Sequence, residues 1–561
     1  MPKRIVIVGG VAAGMSAATR ARRLDEHASI TVLEKGGYVS FANCGLPYYL
    51  CGRIVGRDKL LVTTPERLRQ RFNLDVRVGH EVTRIDRAAR VVHGIDLSGG
   101  KPFSLPYDKL VIAVGASAIV PDIPNVRAPN VFVLRSMEDT FAIENYLRQH
   151  QPRRVAIVGA GFIGLEMVEA MRQIDLDVTV IEKAPQVMPP LDPEMAAPVE
   201  KELRAHAVTL LTGTGLAALD AADGKVTHVR TEDGRQIAAD MVLLSIGVRP
   251  NTKLAVDAGL AIGPAGGIAV DEYQRTSDPD IYAAGDAVEV VHGVTKQKMR
   301  IPLAGPANRQ GRIAGEHAVT GVSQRAPAVL GTSIVKVFGL SVGMTGLSES
   351  AARRAALNAQ TAHITGGSHA GYYPGAKPMQ IKLVYEQPTG RVLGAQIVGG
   401  DGVDKRIDVI ATAIHFGGTL DDLASLDLAY APQFSSARDP VHIAAFAAQN
   451  QLRGLTHAIS PMEIENELLV DVRTPGECQG GKLPGAINIP LDELRARMGE
   501  LDRNKRITVY CQAGLRGYIA QRILQQHGFA DVRNIKGGYS LAANLPPIRG
   551  LSAGPSPADK T

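Results

Sequence analysis

The stretch that decides the fold is Ile5-Val6-Ile7-Val8-Gly9-Gly10-Val11-Ala12-Ala13-Gly14. Its first four residues predict a buried strand, and the glycine-rich turn after them leads into a helix from about residue 15 to residue 23. A second apolar strand, Ile30–Leu33, ends at Glu34. Such a turn brings backbone N–H groups and the positive end of a helix against a pyrophosphate. The stretch therefore predicts a βαβ unit that binds a dinucleotide.

The same design returns at Arg154–Val158, followed by the turn Gly159-Ala160-Gly161-Phe162-Ile163-Gly164 and by a strand that ends at Glu182. The second turn has all three glycines of the dinucleotide fingerprint, whereas a valine replaces the middle glycine of the first. One such turn is a weak signal, but two copies, each with a strand-end glutamate about 20 residues on, are strong. Glu34 and Glu182 are predicted to bind ribose hydroxyls. Glu182 would repel a 2′-phosphate and favours NADH over NADPH, although the neighbouring Lys183 weakens this preference.

Length and composition indicate a multidomain globular protein. A chain of 561 residues is too long for one hydrophobic core, so we expect about three or four domains. Four cysteines in that length cannot form a disulfide framework, which favours a reducing, cytoplasmic location. The net charge of +6 is spread along the chain and does not indicate nucleic acid binding. No run of 18 apolar residues predicts a membrane span, Met1–Arg4 is too short to suggest a signal peptide, and we predict no metal site.

Cys44 is the most informative single residue. It lies in Ser40-Phe41-Ala42-Asn43-Cys44-Gly45-Leu46-Pro47-Tyr48-Tyr49, just after the first βαβ unit, and the next cysteine, Cys51, is seven positions on. An enzyme that reduces disulfides with its own dithiol needs a closer second cysteine, so Cys44 is predicted to work alone on a sulfur from a bound molecule. The stretch Leu46–Leu50 is predicted to be helical, and a helix N-terminus would lower the pKa of the thiol. Cys51 is interpreted as a packing residue.

The two turns, together with Thr276-Ser277-Asp278-Pro279-Asp280-Ile281-Tyr282-Ala283-Ala284-Gly285-Asp286, resemble the two-dinucleotide flavoprotein disulfide reductases over about residues 1–447. The resemblance implies FAD at the first turn, NAD(P)H at the second, and hydride transfer from nicotinamide to flavin to a sulfur. It places Asp286 at the ribityl–phosphate region of the flavin. The cofactor-binding residues that it implies are Gly9, Gly10, Gly14, Glu34, Lys35, Gly115, Gly159, Gly161, Gly164, Glu182, Gly247, Gly285 and Asp286.

The run around Cys44 resembles the single-cysteine branch of that family, which includes coenzyme A disulfide reductases, NADH oxidases and NADH peroxidases. The peroxidases carry a histidine in the first glycine turn, and this turn has none. The dithiol branch has a C-terminal His-Glu acid/base pair, which the stretch Tyr430–Pro440 lacks. In the coenzyme A disulfide reductases two tyrosines of the dimerisation domain approach the active site of the other subunit. The resemblance therefore implies a homodimer in which Tyr430 and one of Tyr372 and Tyr373 assist proton transfer.

A coenzyme A site needs several cations, because the ligand carries a 3′-phosphate and a pyrophosphate. Arg20 and Arg23 are predicted to share one face of the first helix, and a solvated helix face is the alternative interpretation. Ser40 and Asn43 flank the thiol. The family pattern further suggests three arginines, for which a surface ion pair is an equally good interpretation: Arg71, Arg309 and Arg438.

A second cysteine site is predicted near the end of the chain, in Cys511-Gln512-Ala513-Gly514-Leu515-Arg516-Gly517. This loop follows a strand and precedes a helix-like segment, so its N–H groups would point at the sulfur and hold it as a thiolate. Four residues between the cysteine and Arg516 suit a persulfide, whereas a phosphatase of similar shape needs five. With Asp471–Glu477 and Asn534–Tyr539, the loop resembles a single-domain rhodanese over residues 458–548. Cys478, in place of a usual aromatic residue, is interpreted as structural.

The whole chain resembles fusions of a coenzyme A disulfide reductase with a rhodanese, also described as NADH-dependent persulfide and polysulfide reductases. We expect an α/β protein with two Rossmann-like dinucleotide-binding domains, an α+β dimerisation domain and a C-terminal rhodanese-like α/β domain. The expected boundaries are 1–112 and 247–325 for the FAD domain, 113–246 for the NAD(P)H domain, 326–446 for dimerisation, 447–457 for a linker, 458–550 for the rhodanese domain and 551–561 for a tail.

The predicted activity is reduction of coenzyme A persulfide, polysulfide or coenzyme A disulfide by NAD(P)H through FAD and Cys44. Sulfane sulfur transfer is assigned to Cys511 and Arg516. Coenzyme A is expected as a bound ligand or as a substrate. Two alternatives stay open: an NADH oxidase in which Cys44 cycles through sulfenic acid, and a redox sensor or sulfur carrier without turnover. The sequence does not rank the three sulfur substrates.

Overall fold

A computed structural model describes residues 2–465 and 467–545. The predicted tail, 551–561, and the last residues of the predicted rhodanese domain lie outside the described residues. The described residues form two compact units: 2–185 with 207–331, and 186–206 with those between 332 and 545. The first unit contains the two sheets that are predicted to bind dinucleotides, and the second contains the sheets of the predicted dimerisation and rhodanese-like domains.

The first sheet of the first unit has five parallel strands. In spatial order they are Ile281–Ala283, Lys109–Ile112, Arg4–Val8, Ser29–Leu33 and Asp75–Arg77. Its helices are Ala12–Leu24, Leu46–Leu50, Pro65–Phe72, Lys253–Asp257 and Ala304–Thr320, and an antiparallel sheet adds His80–Asp86, Val91–Asp96 and Lys101–Pro106. Successive residues of the first strand enter opposite cores, because side chains alternate along a strand.

The first helix begins at Ala12, inside the glycine-rich turn and earlier than predicted. Alanine is the best helix former, so the two alanines of the turn extend the helix toward the strand. Gly14 fits there because it has no Cβ, which would lie 1.8 Å from the carbonyl oxygen of Gly9. The helix also packs closely on Ala304–Thr320, where a Cβ on Gly311 would lie 2.1 Å from the Ala13 oxygen. Close packing on both sides therefore fixes the helix N-terminus beside the turn.

The second sheet repeats this arrangement. Its parallel strands, in spatial order, are Thr209–Thr212, Asp177–Glu182, Arg154–Val158, Met241–Leu244 and Val131–Phe132. The accompanying helices are Met137–His150 and Phe162–Gln173, and an antiparallel sheet adds Leu216–Ala222, Lys225–Thr231 and Gln236–Ala238. Two short ladders complete the first unit: Ala116–Ala118 with Val248–Pro250, and Val290–Val291 with Lys298–Met299.

The second unit contains an antiparallel sheet and a parallel one. The antiparallel strands, in spatial order, are Ser333–Val337, Leu340–Gly346, Val392–Gly399, Pro378–Glu386 and Ala359–Gly367, with helices Pro193–Ala205, Glu349–Arg354, Val403–His415, Leu420–Ser425 and Pro440–Leu452. The parallel strands are Ala458–Ile459, Val532–Ile535, Ile507–Tyr510, Leu468–Asp471 and Ile487–Asn488, with helices Pro475–Gln479, Leu494–Arg497, Leu515–Gln526 and Gly538–Ala542. Short 3-10 helices in the two units are Asn43–Gly45, Arg57–Leu60, Pro461–Glu463, Leu491–Glu493 and Met498–Glu500.

A buried lysine ties the segment 186–206 to the second unit, although the sequence places this segment inside 113–246. The side chain of Lys382 is 2% exposed and lies 2.9 Å from Asp192 and 2.7 Å from Glu349, with Glu194 also in contact. Burial lowers the pKa of Lys382, but the three carboxylates together raise it above its ordinary value. The ammonium therefore stays charged, and its carboxylate partners are held in place.

The predicted fold class is confirmed. Each glycine-rich turn belongs to one of two five-stranded parallel sheets. A five-stranded antiparallel sheet with helices comes later in the chain, and a small parallel α/β domain ends the described chain. Among the described residues, no helix is both long enough and apolar enough to cross a membrane.

Candidate functional site

At each glycine-rich turn, backbone N–H groups donate hydrogen bonds to the strand-end glutamate. Gly10 N–H donates to one carboxylate oxygen of Glu34 at 2.6 Å, and Gly36 N–H donates to the other at 2.7 Å. In the second turn Ala160 and Ala184 donate in the same way to Glu182, both at 2.7 Å. Burial raises the pKa of Glu34 more than these backbone donors lower it. The same pattern of hydrogen bonds holds each carboxylate beside the N-terminus of a helix.

The donor set at both turns fits a dinucleotide. Backbone N–H groups and a helix N-terminus suit a pyrophosphate, and the adjacent carboxylate suits ribose hydroxyls. At Gly161 the structure leaves open space, since a Cβ there would meet no atom within 4 Å. Lys183, the neighbour of Glu182, is paired with Glu232 at 2.9 Å. The second turn therefore presents a buried carboxylate whose neighbouring cation is already paired.

The sequence reasoning missed Arg135, which links Asp286 to Asn43. Arg135 donates to Asp286 at 2.6 Å and to the Ala116 carbonyl at 3.1 Å. The Asn43 side chain donates to the Arg135 carbonyl at 3.2 Å. A signal was present, because Arg135 comes just before Ser136, which begins a capping box with Asp139. Asp286 and Asn43, far apart in sequence, are thus joined through one residue.

The predicted glycines of this region lie at strand ends. Gly115 and Gly247 flank the two strands of a short ladder, Ala116–Ala118 and Val248–Pro250, and both have positive φ, 63° and 108°. Gly285 N–H donates to the Gln310 side chain at 2.8 Å. Lys35 is exposed and forms an ion pair with Glu81 at 2.7 Å, so its charge is not directed at the turn.

Cys44 is exposed and lies in the 3-10 turn Asn43–Gly45, immediately before the helix Leu46–Leu50. The pKa of its thiol is raised: partial desolvation by the surrounding protein is the largest cause, and Glu166 and Asp286 add to it against Arg135. The sequence prediction of a lowered pKa was therefore wrong for the protein alone. A helix of five residues has a weak dipole, and desolvation together with two carboxylates outweighs it.

Glu166 is the second residue that sequence reasoning missed. It lies on the helix Phe162–Gln173 and accepts a hydrogen bond from the Tyr48 hydroxyl at 3.2 Å. Burial raises the pKa of Glu166, and Tyr48, whose own pKa is raised to about 12, opposes that change by donating to it. Its position two residues after Gly164 was the available signal. Glu166 thus places a carboxylate of the second dinucleotide domain close enough to Cys44 to raise the pKa of its thiol.

We expect Glu166→Gln to lower the pH at which Cys44 becomes reactive. At the pH where the thiol titrates, the carboxylate is ionised and disfavours the thiolate, so its removal lowers the thiol pKa. The measurement is the rate of Cys44 alkylation by iodoacetamide against pH, with the modified residue identified by mass spectrometry. Glu144→Gln is the matched control, because Glu144 accepts from the neighbouring Tyr49 at 2.7 Å. An unchanged midpoint in Glu166→Gln would contradict the assigned cause.

The predicted coenzyme A residues divide into paired and exposed side chains. Arg20 makes an ion pair with Glu316 at 2.7 Å, so its charge is already engaged. Its neighbour Arg22 is buried and donates to four backbone carbonyls, which makes it structural. Ser40 has φ 49° and is held to Gly10 through its backbone. The exposed arginines of the predicted set are Arg23, Arg71, Arg309 and Arg438.

The tyrosines of the second unit are not equivalent. The hydroxyls of Tyr372 and Tyr430 lie 2.8 Å apart, and Tyr372 is 76% exposed. The hydrogen bond to Tyr430 raises the pKa of Tyr372. Tyr373 instead packs edge-on against His369, with ring centroids 5.6 Å apart. Geometry therefore pairs Tyr430 with Tyr372, a choice that adjacent tyrosines in a sequence do not reveal.

The loop of Cys511 lies between a strand and the helix Leu515–Gln526, as predicted. Gly514 N–H points at the Cys511 sulfur at 3.1 Å, and Tyr539 N–H donates to the Cys511 carbonyl at 2.8 Å. Arg516 reaches Glu477 with two hydrogen bonds of 2.6 and 2.8 Å. The guanidinium lowers the pKa of Glu477 to about 2. Arg516 is thus held in place by a carboxylate at the edge of the loop.

Cys478 donates to a carboxylate oxygen of Asp471 at 3.4 Å. Asp471 also holds the buried Arg473 at 2.7 Å, and Arg473 reaches the side chain of Gln512, next to Cys511, at 3.1 Å. Desolvation and the Asp471 carboxylate raise the pKa of Cys478. These contacts agree with a supporting part for Cys478 beneath the loop.

The structure combines two dinucleotide turns with a lone thiol beside the first, and it carries a cysteine loop on a separate α/β domain. This combination defines a nucleotide-dependent disulfide oxidoreductase that carries a rhodanese-like domain. Sequence profiles agree with that class. The profile of the pyridine nucleotide-disulphide oxidoreductases matches residues 3–311, its dimerisation domain matches 332–441, and the rhodanese-like domain matches 456–544. The chain belongs to the pyridine nucleotide-disulphide oxidoreductase family, which implies FAD and NAD(P)H as cofactors.

Individual relatives fall within the predicted branch. An NADH oxidase of Methanocaldococcus jannaschii is 36% identical over 80% of this chain and 99% of its own length. The NAD(P)H coenzyme A polysulfide/persulfide reductase of Pyrococcus horikoshii is 35% identical over 79% of this chain and 98% of its own. The crystal structure of reduced Bacillus anthracis CoADR-RHD has a TM-score of 0.94 and 45% identity, and covers 97% of this chain and 98% of that one. The resemblance stated from sequence is therefore confirmed.

Proposed function

We propose that this protein uses NAD(P)H to reduce coenzyme A persulfide, polysulfide or coenzyme A disulfide at Cys44, and transfers sulfane sulfur at Cys511. The observation that carries the proposal is an exposed thiol without a neighbouring redox partner. Cys51, the nearest cysteine in sequence, is half-buried and donates to the Tyr48 carbonyl at 3.4 Å. The sulfur that Cys44 meets must then come from a ligand.

The sulfur steps take place on Cys44. The Cys44 thiolate attacks the outer sulfur of coenzyme A persulfide, the S–S bond breaks, and the coenzyme A thiolate leaves and takes up a proton. Two electrons from NAD(P)H then release hydrosulfide from the Cys44 persulfide and restore the thiolate. FAD, when bound, supplies the electron transfer between nicotinamide and sulfur. Glu34 and Glu182 hold the two riboses, and Glu182 with its paired neighbour Lys183 favours NADH.

The remaining predicted residues have the following proposed roles. Arg516 and the loop N–H groups hold a persulfide on Cys511, and Tyr372 with Tyr430 supplies a proton to the leaving thiolate. Exposed arginines bind the coenzyme A phosphates. Tyr372 and Phe434 are 76% and 72% exposed on the dimerisation domain, which supports a homodimer. Four free cysteines support a cytoplasmic location.

The experiment compares NADH-linked rates on coenzyme A persulfide, polysulfide and coenzyme A disulfide with NADH consumption in air. We expect the sulfur substrates to be reduced faster, because Cys44 is placed to form a disulfide bond with a ligand sulfur. A second candidate, NADH oxidase, is favoured by the name of the Methanocaldococcus relative. Oxygen-linked rates equal to or above the sulfur-linked rates would replace the proposal with that candidate.

A further inference from the structure

The second unit contains a polar cavity of about 350 Å³ that belongs to none of the sites above. One part of its wall comes from the dimerisation sheet and includes Thr361, His363 and Tyr385. The other part comes from the rhodanese-like domain and includes Lys536 and Glu463. The cavity therefore lies where these two domains meet inside one compact unit.

Two buried polar groups of this wall lack hydrogen-bond partners among the described residues: the Nε2 atom of His363 and the hydroxyl of Tyr385. The two side chains are only 7% and 0% exposed. An unpartnered polar group at such depth is destabilising, unless a ligand or water completes it. Both residues form part of the cavity wall, which makes an occupant of the cavity the candidate for the missing partner.

The charged groups of the wall differ in the ion-pair and hydrogen-bond partners that they have. Glu194 and Glu349 are paired with Lys382, and Glu463 accepts a backbone N–H from Ser460 at 2.8 Å. Lys536, by contrast, donates to the Thr361 hydroxyl at 3.0 Å, and in the described chain no carboxylate lies within ion-pair distance of it. The carboxylates of the wall thus have partners, whereas this cation has only a hydroxyl.

We propose that the cavity binds a small tetrahedral oxyanion of the sulfate, phosphate or thiosulfate type, held by Lys536, Tyr385 and His363. The ammonium supplies the counter-charge, and the phenol donates its hydrogen bond. Burial lowers the pKa of His363 to about 3, so its ring is neutral and donates through Nε2 when the proton is on that atom. Burial also lowers the pKa of Lys536, and Glu349, Glu463 and Glu194, none of them in ion-pair contact with it, offset only part of that effect.

The cavity is connected to the Cys511 loop by two contacts. The His363 ring packs on the backbone next to Lys536, since a Cβ on Gly537 would lie 3.2 Å from its Cδ2. Two residues further on, Tyr539 N–H donates to the Cys511 carbonyl at 2.8 Å. An oxyanion that immobilises Lys536 and His363 would therefore steady the turn that supports the loop. The site is a place where a sulfur oxyanion can act on sulfur transfer without entering the active site.

Binding is tested by calorimetry on the full-length holoenzyme, with FAD, NAD⁺ and coenzyme A in excess to fill the other phosphate sites. Sodium sulfate and sodium phosphate are titrated against sodium chloride at equal ionic strength, and thiosulfate is titrated into the Cys511→Ser variant, which cannot consume it. We expect saturable binding. Lys536→Met should weaken it by at least about tenfold, and Tyr385→Phe by about three- to tenfold.

The controls are Lys253→Met, an exposed lysine, and Tyr107→Phe, a buried tyrosine of the first unit. Neither should change binding, and Tyr385→Phe keeps the ring, so it tests the hydroxyl even if Lys536→Met folds poorly. Undiminished binding in both cavity variants, or no saturable binding of any of the three oxyanions, would overturn the site. These readouts do not depend on reductase turnover, so their failure is distinct from failure of the proposed function.

The connection to the loop has its own measurement. Sulfate at a concentration near its Kd for the unmodified sequence should slow alkylation of Cys511 by iodoacetamide there, and should slow it less in Tyr385→Phe. Binding without any change in the alkylation rate would overturn the connection.

Discussion

In the Cys44→Ser variant, NADH-linked reduction of every sulfur substrate is expected to fall by roughly 10³-fold or more. A serine hydroxyl cannot form a disulfide with the substrate, and at neutral pH it is a far weaker nucleophile than a thiol. Cys44 is exposed, so the change of one atom should leave packing intact. Rates with coenzyme A persulfide, polysulfide and coenzyme A disulfide, measured from NADH absorbance under nitrogen, check the result.

The matched control is Cys51→Ser, which changes the same atom at a half-buried position whose thiol only donates to a backbone carbonyl. It should keep activity close to that of the unmodified sequence. The first half-reaction, bleaching of bound flavin by NADH, should survive in both variants, because it does not need the thiol. Full turnover of any sulfur substrate by Cys44→Ser would end the proposed mechanism.

In the Cys511→Ser variant, sulfane sulfur transfer from thiosulfate to cyanide is expected to fall by roughly 10³-fold or more, while reduction of coenzyme A disulfide persists. The Gly514 N–H points at the Cys511 sulfur at 3.1 Å, and no persulfide can form on a serine. Reduction of coenzyme A disulfide uses the thiol of the other unit and should be spared. Thiocyanate formation and NADH oxidation, measured on the same preparation, separate the two activities.

Cys478→Ser is the control within the same domain, since that thiol contacts Asp471 and not the loop N–H groups. A small effect on sulfur transfer is expected there. If Cys511→Ser lost both activities equally, the division of work between the two domains would be wrong.

The sequence predicted those features that depend on local pattern. Both glycine-rich turns lie between a strand and a helix, and the strand-end glutamates bond to them, because continuous apolar runs and glycine spacing encode these contacts locally. The start of the first helix was misplaced, since the packing of Gly14 against Gly9 is visible only in three dimensions. Profiles and folds agree on the class, while the roles of individual site residues still rest on the proposals above.

What the sequence could not supply were contacts between distant segments. Arg135 meets Asp286 across 151 positions, and Tyr48 meets Glu166 across 118. Neither separation leaves a periodic signal, and so the two carboxylates that add to the raised pKa of Cys44 were not foreseen. Likewise, Arg20 forms an ion pair with Glu316 across 296 positions. The sequence therefore did not reveal that this arginine, predicted to bind coenzyme A, already has a carboxylate partner.

The Lys382 cluster has a practical consequence for anyone who divides this gene. Asp192 and Glu194 come from residues 186–206 of the second unit, which interrupt the first unit in sequence, whereas Lys382 and Glu349 come from the part of the second unit after residue 332. A fragment that begins at residue 332 would keep the buried ammonium and strip away two of its three counter-charges. Expression of the dimerisation and rhodanese-like domains as a separate protein therefore requires residues 186–206 to be grafted back or supplied in trans.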